Sequence, residues 1–176
     1  MSDIALVIID VQKGMFSFPE MQPHGGKDIV APLNSLIAKA RQSKVNIIFV
    51  QHQGTGNHPL KVGTELYDII EELDNTSEDI YIVKTQCGSF HETDLRKTLV
   101  TLNVKKLVIG GLQTEFCVDT AIRTAKDYGY EVTAIKDGHT TFDSETLSAV
   151  DIKTHHQAIW GQGFAAVMLA QDIEFS

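Results

Sequence analysis

One cysteine stands where an apolar run meets an amphipathic one. In the stretch GGLQTEFCVDTA, residues 110–121, Cys117 comes directly before Val118, where an apolar helical stripe begins. The unpaired N–H groups and the positive dipole end at a helix start favour a thiolate over a thiol. Cys117 is therefore either a nucleophile or a small buried hydrophobe, since cysteine is among the residues most often found buried.

Two further residues carry charge directly after apolar runs. Asp10 ends the run IALVII, where a carboxylate is costly unless it meets water, a cation or hydrogen-bond donors. Lys84 follows the run DIYIV and would supply such a cation. A carboxylate whose pKa is raised by burial is suited to act as the general base for a thiol. Taken singly, Asp10 is equally well explained as a cap, and Lys84 as a lysine whose stem lies along the surface.

Short apolar runs alternate with helical patterns along the chain. The runs predict six strands, at 4–9, 45–50, 79–83, 106–110, 131–135 and 163–169. Their continuous apolar character indicates a parallel sheet that is covered on both faces. Apolar stripes predict helices within 29–43, 64–73, 92–102, 118–125 and 145–160. The pattern predicts one three-layer α/β/α domain over residues 1–176, with a six-stranded, mainly parallel sheet.

The strand ends bring the three candidate residues to one edge of this sheet. Ligands of open α/β sheets bind outside the carboxyl ends of the strands, where the strand order reverses. Asp10, Lys84 and Cys117 all come just past a predicted strand. If the order is 3-2-1-4-5-6, Lys84 lies two strands, about 10 Å, from Asp10. The long side chain of Lys84 must then reach back across the edge.

Three blocks of sequence resemble the signature blocks of the isochorismatase-like cysteine hydrolases. They read ALVIIDVQKGMF, VKTQCGSFHETDL and VIGGLQTEFCVDTAIRTAKDYGYEVTAIKDG. The resemblance implies the isochorismatase-like hydrolase fold, with strand order 3-2-1-4-5-6, and a catalytic triad of Asp10, Lys84 and Cys117. In that triad Asp10 is the base, Lys84 orients the groups and stabilises charge, and Cys117 attacks an amide carbonyl to form a thioester.

The resemblance also implies how the backbone serves the reaction. It places a cis peptide bond between Leu112 and Gln113, just before the turn of the nucleophile. The N–H groups of Gln113 and Cys117 would then form the oxyanion hole. True isochorismatases do not use a cysteine at the position of Cys117, so its presence favours carbon–nitrogen hydrolysis over vinyl ether hydrolysis.

The loop after the second predicted strand departs from the metal-dependent nicotinamidases of this family. Those enzymes carry an Asp-x-His pair there, whereas this chain reads FVQHQGTGNH, with Val50 or Gln51 where the aspartate is expected. His52 and His58 keep a compatible spacing, but a hard divalent cation would lack its carboxylate. We therefore expect no metal and no cofactor. The loop resembles the metal-free amide hydrolases of the family, a branch that includes streptothricin hydrolase-like proteins.

The expected substrate is a small amide. Candidate pocket walls near the strand ends are Met15, Phe16, Gln51, His52, Phe90, Glu115 and Phe116. Two other interpretations stay open: a metal-dependent nicotinamidase-type amidase, and a non-catalytic thiol sensor or binding protein on the same fold. Cys87 is expected to be structural, with pairing to Cys117 under oxidation as the alternative.

Composition argues against several kinds of partner. The formal net charge is −8 and the basic residues are scattered, which disfavours nucleic acid and anionic membranes. No apolar run approaches the length of a membrane span, and the start MSDIALVIID lacks the features of a signal peptide. The two cysteines are too few for a disulfide framework. We expect a cytoplasmic protein that forms a homodimer or higher homo-oligomer, as members of the family commonly do.

Overall fold

A single six-stranded sheet organises the computed structural model, which describes residues 2–175. Its strands are β1 (Ile4–Ile9), β2 (Asn46–His52), β3 (Ile80–Lys84), β4 (Lys106–Gly111), β5 (Glu131–His139) and β6 (Ala166–Met168). The strand order is β3-β2-β1-β4-β5-β6, and every neighbouring pair is parallel. The predicted fold class and strand order are confirmed, with a sheet that is parallel throughout.

Helices cover both faces of the sheet. Within residues 2–175 they are α1 (Val30–Gln42), α2 (Leu95–Thr101), α3 (Asp119–Asp127) and α4 (Ala149–Gly163). One core joins α1 to a face that includes Leu6 and Ile8, and the other joins α2, α3 and Trp160 of α4 to the face with Val7. Successive residues of β1 thus serve opposite cores, as side chains of a strand alternate. None of these helices has the length and apolar character needed to cross a membrane.

The segment 64–73 does not form the helix that its apolar stripe predicts. Only Glu65–Tyr67 make a short 3-10 turn, and Ile69 instead forms an antiparallel bridge with Gln12. Ile70 and Leu73 are buried in the core on the α1 face. The apolar side chains are therefore buried by an irregular segment that lies along the residues after β1. The prediction was wrong because bridging to a neighbouring segment satisfied the backbone without a helix.

Other boundaries differ while the type of element is kept. β6 is shorter than the predicted strand 163–169, because α4 continues to Gly163. β5 is longer than the predicted strand 131–135 and reaches His139. The β4–β5 register shifts between Ile109 and Gly111, so that Gly111 pairs with His139. This irregularity places His139 beside the end of β4, next to the turn that carries Cys117.

Candidate active site

Asp10 lies directly after β1 in a backbone conformation that few residues adopt. Its φ is 54°, in the left-handed region, and its N–H donates to the carbonyl of Val50 at 2.8 Å. Aspartate is one of the few residues besides glycine that enter this region. The turn ends β1 and leaves the carboxylate buried at the edge of the sheet.

The buried ammonium of Lys84 joins this carboxylate to the thiol. Lys84 ends the edge strand β3, where it pairs with His52 of β2, and its side chain is fully buried. Its Nζ lies 2.8 Å from Oδ2 of Asp10 and 3.2 Å from Sγ of Cys117. The side chain of Lys84 therefore extends past β2 to Asp10, as the strand order required. Lys84 is therefore a buried partner of Asp10 and not a surface lysine.

Cys117 lies in a π-helical turn, Thr114–Val118, which leads into α3. The peptide bond between Leu112 and Gln113, just before this turn, is cis. Thr114 is buried and its N–H donates to the carbonyl of Thr140 at 3.1 Å. Such π-helical turns are rare and occur frequently at functional sites.

His139 of β5 fixes the position of the π-helical turn through Thr114. Burial lowers the pKa of His139 to about 3, so the ring is neutral. Its Nε2 lies 2.9 Å from the amide nitrogen of Gln157, a donor, and therefore accepts. The proton is then on Nδ1, which donates to Oγ1 of Thr114 at 2.8 Å. Thr114 is thus fixed by β5 and α4 together.

Gly111 lets β4 approach β1 at the start of the turn. Its φ is 121°, and a Cβ at this position would overlap the carbonyl oxygen of Ile9. Any side chain would therefore push the end of β4 away from β1. Because Asp10 follows β1 and Cys117 follows β4, this glycine helps to set the separation of base and thiol.

Burial governs the protonation of the three side chains. It raises the pKa of the Cys117 thiol, and the charge of Asp10 raises it further, against the opposing effect of Lys84. Burial also raises the pKa of Asp10, although Lys84 pulls it down. For Lys84, burial is the largest influence and disfavours the ammonium, but the attraction and hydrogen bonds of Asp10 and Cys117 together outweigh it and raise the pKa. The resting site therefore pairs a charged lysine with a protonated thiol.

The thiolate predicted from the start of a helix is not favoured. The helical run begins at Thr114 and not at Val118, and Cys117 still lies in its first turn, among the N–H groups that have no partner within the helix. Burial of the thiol nevertheless dominates the equilibrium. The thiol consequently needs a base. Oδ1 of Asp10 has no hydrogen-bond partner among the described residues, and the Cys117 thiol is close enough to affect the pKa of Asp10.

A pocket of about 340 Å³ opens above these side chains. It is lined by Asp10, Met15, His52, His58, Leu60, Cys87, Gln113, Phe116 and Cys117. Three of the predicted wall residues, Met15, His52 and Phe116, are among them. The sequence did not indicate Leu60 or Cys87 as wall residues, because both come from loops, where no period fixes the direction of a side chain.

Four predicted wall residues lie away from this pocket. They are Phe16, Gln51, Phe90 and Glu115. Gln51 is buried and its amide donates to the carbonyl of Tyr67 at 3.1 Å, as strand alternation sends it away from His52. Phe90 packs in the core, and Phe16 borders a separate cavity beside Lys13. Glu115 is half-buried outside the pocket lining.

Gln12 is a positioning residue that the sequence did not indicate. It is fully buried, and its Oε1 accepts the N–H of His52 at 2.9 Å. Its Nε2 donates to the carbonyls of His52 at 3.1 Å and Tyr67 at 2.7 Å. Gln12 thereby ties the end of β2 to the segment after β1. No signal in the sequence pointed to this role, because Gln12 lies between Val11 and Lys13 and continues no apolar pattern.

The two pocket histidines do not fit a divalent cation. Nδ1 of His52 lies 3.4 Å from the ammonium of Lys84, and Nδ1 of His58 accepts the N–H of Leu60 at 3.1 Å. Nδ1 of each ring is already engaged within the protein, and Asp10, which is paired with Lys84, is the one carboxylate among the described lining residues, so a hard divalent cation would lack its oxygen ligands. No group of three or more His, Cys, Asp or Glu residues between positions 2 and 175 is arranged to hold one.

Comparisons with known proteins identify the family. The isochorismatase domain matches residues 4–172. A crystal structure of an isochorismatase family protein has a TM-score of 0.90 at 37% identity, covering 96% of this chain and 99% of its own. Streptothricin hydrolase from Streptomyces noursei is 27% identical, over 97% of this chain and 60% of its own length. Ureidoacrylate amidohydrolase from Variovorax paradoxus is 24% identical, over 77% of this chain and 68% of its own. The chain therefore belongs to the isochorismatase family of hydrolases.

Proposed function

We propose that the protein is a metal-independent amidase that cleaves the C–N bond of a small neutral amide through an acyl-enzyme on Cys117. One observation carries the proposal. The ammonium of Lys84 contacts both Oδ2 of Asp10, at 2.8 Å, and Sγ of Cys117, at 3.2 Å, and the last two residues line the pocket. A thiol, a buried carboxylate and a fixed cation supply a nucleophile, its base and charge stabilisation.

Acylation begins when Asp10 accepts the thiol proton and Sγ of Cys117 attacks the amide carbonyl carbon. Lys84 stays protonated and offsets the negative charge as it moves from the carboxylate to the carbonyl oxygen. The oxyanion is received by the N–H groups of Gln113 and Cys117, of which the first has no acceptor within residues 2–175. Asp10 then gives its proton to the nitrogen, the C–N bond breaks, and a thioester remains while ammonia or an amine leaves.

Deacylation uses the same groups in the reverse direction. A water molecule replaces the amine, and Asp10 takes one of its protons as the oxygen attacks the thioester carbon. The C–S bond breaks, the proton returns from Asp10 to the sulfur, and a carboxylic acid leaves. Asp10 thus acts as base and acid in turn, and its raised pKa suits both tasks.

The pocket lining supports a neutral acyl group. Met15, Leu60 and Phe116 contribute apolar walls, and none of the described lining residues is a lysine or an arginine. The Nε2–H groups of His52 and His58 are available as hydrogen-bond donors, as their Nδ1 atoms accept elsewhere. A carboxylate on the substrate would lose its water without gaining a cation, which is costly.

A matched pair of substrates tests this preference. Succinamide and succinamate are nearly the same size and differ in whether a second amide or a carboxylate enters the pocket. We expect kcat/KM for succinamide to exceed that for succinamate by about tenfold or more, from the desolvation cost of one charge. Ammonia release measures both. A preference for succinamate would show that a cation reaches the acyl group, and would overturn the neutral class.

The proposal as a whole is tested with ammonia release from a panel of small amides. We expect turnover that persists after dialysis against a chelator and is abolished in Cys117→Ala. Acid quenching followed by mass spectrometry should show the acyl group on Cys117 in the unchanged protein. Turnover that survives Cys117→Ala would end the proposal, and turnover that needs added zinc or iron would support the metal-dependent alternative.

A further inference from the structure

A second thiol lies against the proposed nucleophile. Sγ of Cys87 is 3.9 Å from Sγ of Cys117, and within residues 2–175 these are the free cysteines. Cys87 lies between β3 and α2, and Cys117 lies in the π-helical turn, so the two thiols come from separate segments. A disulfide needs a sulfur–sulfur distance of about 2 Å, so the two sulfurs have to approach each other by roughly half of their present separation.

Cys87 is open to solvent on a side that the substrate does not occupy. It is exposed, whereas Cys117 is half-buried. Besides lining the pocket above Cys117, Cys87 lines an outer cavity with Gln86, His91 and Tyr128. A small solute therefore reaches Cys87 without passing through the substrate pocket. Its remaining polar contact is with Oγ1 of Thr120, at 3.4 Å, which leaves the sulfur unhindered by any charge pair.

We infer that Cys87 and Cys117 form an oxidation site for small hydroperoxides, in which Cys87 reacts first and the product is a reversible Cys87–Cys117 disulfide. The distance between the thiols, the exposure of Cys87 and its place on the outer cavity carry this inference. The proposed amidase role of Cys117 bears only on what the disulfide does to activity, because the linkage itself depends on the geometry of the two thiols.

The oxidation proceeds in two balanced steps. The sulfur of Cys87 attacks one oxygen of the hydroperoxide, the O–O bond breaks, and an alcohol or water leaves with the thiol proton. Cys87 is now a sulfenic acid. The sulfur of Cys117, whose proton passes to Asp10, attacks the sulfur of Cys87, and the S–O bond breaks as hydroxide leaves with that proton as water. Two thiols are oxidised to one disulfide while the hydroperoxide is reduced.

The disulfide would prevent Cys117 from attacking a substrate and would protect its sulfur from further oxidation. A sulfur bonded to Cys87 has no free pair of thiolate electrons with which to attack a carbonyl, so amide turnover ceases. The same bond keeps Cys117 from further oxidation to sulfinic or sulfonic acid, which is irreversible in most proteins. Dithiothreitol, by thiol–disulfide exchange, would return both residues to thiols.

The test treats the full chain with hydrogen peroxide and maps the products by mass spectrometry without reduction. We expect the loss of two hydrogens, a crosslinked peptide pair that contains Cys87 and Cys117, and recovery of both thiols after dithiothreitol. In Cys87→Ser, Cys117 should instead gain two or three oxygens that dithiothreitol does not remove. In Cys117→Ser, Cys87 should gain one oxygen, trapped with dimedone.

Activity is followed in parallel, relative to the untreated value of each protein. We expect the unchanged protein to regain most of its turnover after dithiothreitol and Cys87→Ser to stay inactivated. The inference is overturned if peroxide oxidises Cys117 of the unchanged protein to the sulfinic acid with Cys87 still reduced, or if only crosslinks between chains appear. Disulfide formation in a protein that turns over no amide would uphold this inference and contradict the proposed function.

Discussion

In the proposed mechanism, Asp10 has to exchange a proton with a thiol that its surroundings keep protonated. Burial holds the pKa of Cys117 above its ordinary value, so the nucleophile depends on a base at every turnover. The carboxylate is itself buried, after a left-handed residue that ends β1, and its own pKa is raised. The proposed mechanism therefore depends on proton transfer between Asp10 and Cys117 and not on a thiolate that exists before the substrate binds.

Asp10→Asn removes this base and keeps the shape of the side chain. We expect kcat to fall about 100-fold or more, because general base catalysis contributes at least that factor. Alkylation of Cys117 by iodoacetamide should slow as well, since the thiol loses its proton acceptor. Ammonia release and the alkylation rate measure the two effects.

Asp127→Asn is the matched control for this variant, because Asp127 is exposed near the end of α3. It should leave both rates unchanged. A melting curve for Asp10→Asn is needed, since the change leaves the buried ammonium of Lys84 without its carboxylate. Alkylation of Cys117 at the original rate in a folded Asp10→Asn protein would show that another group is the base.

The pH dependence of kcat/KM follows from the raised pKa of Asp10. A protonated Asp10 accepts no proton, so kcat/KM should fall as the pH drops through its pKa, above the ordinary 3.8. The pKa of Lys84 is raised above 10.5, so its charge should persist on the alkaline side. A profile of kcat/KM against pH measures the behaviour on the acid side and on the alkaline side. An acid limb at or below pH 3.8 would contradict the role of a desolvated Asp10.

The raised pKa of Asp10 also makes the stability of the fold depend on pH. The folded protein binds the Asp10 proton more tightly than the unfolded chain, so this group stabilises the fold below pH 3.8. The contribution is lost as the pH rises through the folded pKa. As the pH rises from 3.8 through the folded pKa of Asp10, the free energy of unfolding of the unchanged protein should fall relative to that of Asp10→Asn. Denaturant melts of both proteins across this pH range measure the difference.

Residue types at the ends of apolar runs were enough to bring Asp10, Lys84 and Cys117 together. Each follows a predicted strand, and the parallel direction of the strands placed them on one edge. The protonation of Cys117 was not accessible in this way, because it depends on how deeply the thiol is buried. The place of Leu60 and Cys87 in the pocket wall was not predictable for a related reason. Both lie in loops, where no sequence period fixes the direction of a side chain.

At the scale of elements, the strands were easier to predict than the connections between them. An apolar run that is covered on both faces has few alternatives to a buried parallel strand. The stripe in 64–73 had an alternative, since Ile69 pairs with Gln12 and the segment buries its apolar side chains without a helix. The extension of β5 to His139 depends on a register shift opposite β4, which no local pattern encodes.

Gly111→Ala tests the junction of β1 and β4. The new Cβ would overlap the carbonyl oxygen of Ile9, and the backbone φ of 121° is unfavourable for alanine. We expect the free energy of unfolding to drop by about 3 kcal/mol or more, and any folded protein to lose activity as the Asp10 to Cys117 separation grows. Urea titration and ammonia release are the measurements.

Gly129→Ala is the matched control for the clash. Gly129 also has a positive φ, of 88°, but a Cβ there meets no atom within 4 Å. It should cost about 1–2 kcal/mol from the backbone alone and leave kcat unchanged. If Gly111→Ala costs no more than Gly129→Ala, the close approach of β4 to β1 does not constrain the site.

At the scale of the whole molecule, the expected homo-oligomer is a prediction with a direct measurement. Phe116, which lines the pocket, is 54% exposed, and Met21, Leu147 and Val150 are exposed to a similar extent. Association would cover apolar surface of this kind. We expect light scattering after size exclusion to give a multiple of 19.4 kDa, and a concentration-independent mass of one chain would contradict it. The cytoplasmic location also stays a prediction from the sequence.

The place of Lys84 on the edge strand makes the proposed activity depend on the correct register of that strand. Ile82 and Lys84 are buried, whereas Tyr81 and Val83 are exposed, so a shift of β3 by one residue against β2 would send the lysine to the opposite side of the sheet. Such a chain could keep its other strands and much of its core, yet Asp10 would face Val83. The specific activity of a preparation would then report the fraction of molecules in which β3 pairs with β2 in the native register. Circular dichroism and measurements of compactness would not distinguish the two registers.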